Sequence, residues 1–90
     1  MAGAIERNVV VQHFGTPDVT EGSVNEPRIT DEFGMRFNEK WVYQHPHRDP
    51  ACAAARMILW QRYDYVGSLI RPTPGADWQQ DNSLPNAFNA

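Results

Sequence analysis

His45, His47 and Cys52 are the residues whose type and spacing come nearest to chemistry. A thiol at the start of a helix is pushed toward thiolate by exposed N–H groups and the helix dipole. A neighbouring imidazole can then act as its base. The same three side chains could offer N and S ligands to zinc, with His13 or Asp49 as the fourth ligand of a tetrahedron. Their spacing matches none of the strong templates, such as paired CxxC or HExxH. Cys52 also falls on the helical stripe assigned below to the core, where a thiol packs as a small hydrophobe. His45, His47 and Cys52 therefore stand as weak metal candidates, with no catalytic residue, cofactor or small-molecule ligand assigned.

A second pattern interleaves aromatics and cations. Trp41, Tyr43, Trp60, Tyr63 and Tyr65 lie among Arg36, Lys40, Arg56 and Arg62. Such a mixture can stack and clamp single-stranded nucleic acid, but proteins that do so usually carry a basic balance. This chain of 90 residues has a net charge of −3. Residues 1–35 carry two arginines and six acids, residues 36–71 six cations and three acids, and residues 72–90 two acids. Acidic flanks that fold back on a basic middle explain this distribution without nucleic acid. No glycine-rich phosphate loop occurs, no serine sits in a nucleophile elbow, and no close carboxylate pair suggests acid–base work.

The elements expected to position these residues follow from periodicity. Residues 4–14 read as a strand, since Val9, Val10 and Val11 favour a pleated surface and His13 shares a face with Ile5, Val9 and Val11. Residues 15–34 are broken by glycine and proline and read as irregular, which is long for a compact domain. Residues 35–44 alternate, placing Met35, Phe37, Trp41 and Tyr43 on one face. Phe33 and Gly34 suggest a turn, so that a hairpin with 28–33 is available. Asp49-Pro50 reads as a helix start. A helix over about 50–70 then aligns Cys52, Ala55, Leu59, Tyr63, Val66 and Ile70, and Pro72 and Pro74 end it. Residues 63–70 would also suit a strand; the continuous helix is the preferred reading. The expected fold class is thus α+β, a small antiparallel sheet of two or three strands packed on one helix, with long irregular arms. Residues 1–71 form one small domain and 72–90 an extended C-terminal arm.

A chain this short buries only about 60% of its unfolded surface, so an all-apolar helix is hard to cover. Met57 and Trp60 lie opposite the core stripe, and Trp78, Leu84 and Phe88 are spaced like pegs along the arm. Tryptophan, methionine and arginine are enriched at interfaces. The expected function is a non-enzymatic protein–protein interaction module or accessory subunit, with Met57, Trp60, Trp78, Leu84 and Phe88 contacting another chain in a homo-oligomer or larger complex. The alternative is a small metal-binding or thiol-dependent enzyme subunit using His45, His47 and Cys52. One cysteine permits no intramolecular disulfide, no apolar stretch approaches the roughly 20 residues of a membrane span, and the first residues lack a secretory pattern. A cytoplasmic protein, not embedded in membrane, is the expectation.

Overall fold

Met57, Ile58, Leu59 and Trp60 are all at most 4% exposed. Four consecutive buried side chains need cover on both sides, which a central strand provides by sending alternate residues to opposite faces. The computed structural model, which describes residues 5–46, 48–81 and 83–84, places them in such a strand. Its elements are α1 (Arg7–Phe14), β1 (Val19–Gly22), β2 (Thr30–Glu32), β3 (Met35–Phe37), β4 (Glu39–Gln44), β5 (Ala55–Gln61), β6 (Asp64–Arg71) and β7 (Gln79–Gln80). Five strands form one antiparallel sheet in the order β1-β4-β5-β6-β7, and β2 and β3 form a separate hairpin.

This corrects the α+β expectation of two or three strands on one helix: the fold is mostly sheet, with a single short helix among the described residues. The expected helix over 50–70 is instead the β5–β6 hairpin, with Gln61 opposite Asp64 across a turn at Arg62 and Tyr63. A short continuous apolar run reads equally as buried helix or buried strand, because periodicity cannot separate them. Distant bonds decide the matter. Arg62 sits in the left-handed region at φ 59°. Its N–H donates to Asn38 Oδ1 at 2.8 Å, and its guanidinium donates to the carbonyls of Val24 and Glu26 at 2.8 and 3.2 Å.

The expected strand over 4–14 is instead the helix α1. β-branched residues are weak helix formers, so burial must hold it. Ile5 and Val10 enter one core cluster with Trp41, Tyr43, Ile58, Trp60 and Leu84. Gly15, at φ 86°, ends the helix with its N–H donating to the Val11 carbonyl at 2.7 Å.

The alternating stretch 35–44 is present as β3 and β4, but Asn38 breaks it. Buried Asn38 donates its side-chain amide to the Glu26 carbonyl at 3.0 Å and its backbone N–H to the Trp60 carbonyl at 2.9 Å. The break splits the single face expected for Met35, Phe37, Trp41 and Tyr43. Phe37 and Met35 pack with Met57, Leu59 and Leu69, whereas Trp41 and Tyr43 belong to the other cluster. The sheet therefore has a core on each face, one closed by α1 and Leu84, the other by the β2–β3 hairpin and Trp78. Phe33 and Gly34, at φ 59° and 74°, form the turn of that hairpin as their sequence suggested. Gly67 lets the hairpin seat: a Cβ there would stand 2.3 Å from Met35 Sδ. Residues 15–34, expected to be irregular, carry β1 and β2. No helix among the described residues is long and apolar enough to cross a membrane.

Candidate functional site

Several arginines of the chain are drawn into internal bonding, Arg56 and Arg7 with buried carboxylates. Arg56 has no accessible surface. It lies on the α1 face of β5, beneath the Phe14 ring. Its Nε and Nη2 engage both Asp49 carboxylate oxygens, the latter at 2.8 Å. Its Nη1 reaches Ser68 Oγ at 2.9 Å and Asp81 Oδ2 at 2.8 Å. Ser68 Oγ donates to the Asp81 carbonyl at 2.9 Å, and Ser83 Oγ to Asp81 Oδ2 at 2.6 Å. Burial opposes ionisation of Asp81, but hydrogen bonds from Ser83 and Arg56 outweigh it and hold the carboxyl below its ordinary range. Burial likewise works against the Arg56 charge, and its bonds to Asp49 and then Asp81 more than restore it. Tyr65 is pushed up by burial, against the opposing influence of Ser68 and Arg56. A buried ion pair is costly unless every partner is satisfied. Here the satisfied cluster ties the loop after β4, the β5–β6 hairpin and the segment after β7 together.

Arg7 is consumed in a similar way. Its guanidinium grips Glu39 through two hydrogen bonds of 2.8 and 3.1 Å and touches the Arg62 carbonyl at 3.3 Å. It lies 4.9 Å from the Trp41 ring centroid and 5.3 Å from that of Trp60. Trp41 Nε1 also donates to Glu39 Oε2 at 2.8 Å. The buried Trp60 Nε1 has no hydrogen-bond partner among the described residues.

With these arginines turned inward, a groove of about 590 Å³ opens between the start of α1 and the hairpin tip. Ile5, Glu6, Arg7 and Asn8 form one wall; Tyr63, Asp64 and Tyr65 form the other. Tyr63 is 70% exposed, more than any other exposed large hydrophobic side chain among the described residues. Glu6 and Asp64 are exposed and take no part in an ion pair among the described residues. A second groove, of about 620 Å³, lies at the other end of α1 and includes His13, His45, Arg48 and Asp18. There His13 Nε2 bonds the Arg48 carbonyl at 2.8 Å and Tyr43 donates to the Gly15 carbonyl at 2.9 Å. Burial, then the charge of Asp18, raises the Tyr43 hydroxyl far above its ordinary range.

Of the residues singled out from sequence, His45 and Cys52 stand at left-handed backbone positions of the loop after β4, with φ 62° and 53°. His13 and His45 line one groove, of which Cys52 is not part. Cys52 is exposed rather than on a core stripe. His47 lies outside the described residues. No group of three or more metal-ligating side chains gathers among the described residues. Asp49 accepts the Ala51 N–H at 2.8 Å, the bond expected of a helix cap, but in a turn. Met57 and Trp60 are inside the fold at 4% and 0% exposure, and Leu84 is fully buried with Trp60. Trp78 packs on the other core, with the Arg71 guanidinium 4.7 Å from its ring centroid. Phe88 lies outside the described residues. Glu6 and Asp64 are not singled out by the sequence, and Tyr63 falls on the expected core stripe and in the aromatic–cation pattern, whereas it is exposed. For Tyr63 and Asp64 the signal was the polar tetrad Gln-Arg-Tyr-Asp between two apolar runs, hidden by the expected helix; Glu6 carried none.

Comparison with protein-family models, curated proteins and solved structures finds no match to this chain.

Proposed function

We propose that the chain is a non-enzymatic protein–protein interaction module, serving as an accessory subunit of a larger assembly, and that it docks through the tip of the β5–β6 hairpin. The observation that carries this reading is Tyr63, 70% exposed on a turn held in place by hydrogen bonds to and from Arg62 and Asn38. Tyrosine offers a large contact area with few rotatable bonds, and residues of this type anchor interfaces. A rigid tip loses little entropy on docking. The groove beside it receives what surrounds the anchor. Met57, Trp60 and Leu84 are occupied in the fold and are no part of the proposed surface.

The test is affinity purification of wild type against Tyr63→Ala from native lysate, with isotope labelling to quantify recovery. A partner, or a second copy, whose recovery falls at least about tenfold while the variant melts like wild type is the expected result. If nothing recovered depends on Tyr63, the hairpin tip is not the docking site.

A further inference from the structure

We infer that the groove beside Tyr63 accepts a lysine- or arginine-bearing segment of a partner protein, a conclusion that rests on the interaction reading above. On the wall of this groove the charge of Arg7 is balanced by the buried Glu39, while Glu6 and Asp64 are exposed. Arg7, itself on the wall, is paired with Glu39 and also donates to the Arg62 carbonyl. Arg62 is not part of the lining and directs its guanidinium to the Val24 and Glu26 carbonyls. What remains for a visitor is Glu6 on one wall, Asp64 on the other, and the tyrosines at 63 and 65.

Two exposed carboxylates that form no ion pair among the described residues, together with two aromatic rings, suit a cationic side chain. An ammonium or guanidinium between them gains ion pairs, and its apolar stem packs on the rings, where cation–π attraction adds to the contact. Ile5 and Asn8 complete a site that is part apolar and part hydrogen-bonding, as a peptide segment requires. An acidic segment would meet like charge on both walls. The net charge of −3 for the whole chain favours approach of the same kind of partner.

A random peptide library displayed on phage supplies the probe, selected on wild type with counter-selection on Tyr63→Ala. Selected peptides should be enriched in Lys and Arg, bind more weakly as salt rises, and lose about three- to tenfold affinity on the double variant Glu6→Gln, Asp64→Asn. Because both positions are exposed, a charge-reversed Glu6→Lys, Asp64→Lys variant should fold and select acidic peptides instead. Tyr63-dependent peptides without an excess of Lys or Arg, or indifferent to both double variants, would overturn the inference while leaving the interaction module intact. So would Tyr63-dependent self-association in sedimentation, which would make a second copy the occupant. Failure to select any Tyr63-dependent peptide on a folded protein would overturn both readings.

Discussion

Arg62 and Tyr63 share one turn and point to opposite fates: the arginine is bound to the carbonyls of Val24 and Glu26, and the tyrosine is 70% exposed. The first makes the second rigid. Substitution at these adjacent positions should therefore separate stability from docking. Tyr63→Ala should change unfolding free energy by less than about 0.5 kcal/mol in urea titration, as an exposed site does. Arg62→Ala should lower stability measurably and weaken docking as well, because the tip loses its frame.

Trp60→Ala should behave in the opposite way. Trp60 has no accessible surface and contacts Trp41 and Tyr65, with ring centroids 4.9 and 6.0 Å away. Its truncation should cost about 3–5 kcal/mol in chemical denaturation. A loss below about 1 kcal/mol would contradict the buried position.

Acid should loosen the segment after β7. The folded-state pKa of Asp81 lies below its ordinary value of 3.8. Its contribution to stability is thus present above the unfolded pKa and is lost as pH falls through the folded one. Unfolding free energy followed downward from pH of about 5 should decline, and Asp81→Asn should flatten part of that decline. A variant with the same acid slope as wild type would exclude Asp81 from the effect.

Two glycines should differ in tolerance. Gly22 has φ 76°, and a Cβ there would stand 2.1 Å from the Asn38 carbonyl oxygen, which is backbone and cannot swing away. At Gly67 the obstacle is the flexible Met35 side chain. Gly22→Ala should therefore destabilise by more than about 1 kcal/mol, and by more than Gly67→Ala, in thermal or urea unfolding.

Cys52 should react with a thiol reagent in the folded protein at full stoichiometry, since its side chain is exposed. Reaction only upon unfolding would return it to the buried position the sequence had suggested.

Local signals were legible where local chemistry decides. The Phe33-Gly34 turn read correctly from neighbouring residues. Strand was legible over 35–44, but not its break at Asn38, and Asp49 bonds the Ala51 N–H in a turn and not at the helix start expected of it. The signals failed where distant partners decide. Nothing near Arg62 announces that Asn38, Val24 and Glu26 will hold it in a turn, so the apolar run before it looked helical. Valines at 9–11 favour strands intrinsically, yet Val10 is buried completely in a helix because the sheet offers it a core. The groove was invisible for the same reason: Glu6 and Asp64 come to line one groove only once the hairpin folds, and Arg7 on its wall pairs with the distant Glu39.

Ile5 and Leu84 occupy one core cluster, so the earliest and latest described parts of the chain seal the same compartment. During synthesis, Ile5, Val10 and Trp60 must wait, partly wet, until residue 84 has left the ribosome. The unit should therefore lack a stable nascent intermediate and acquire protease resistance in one step once Leu84 has emerged, a schedule that leaves its earlier core residues open to chaperones until then.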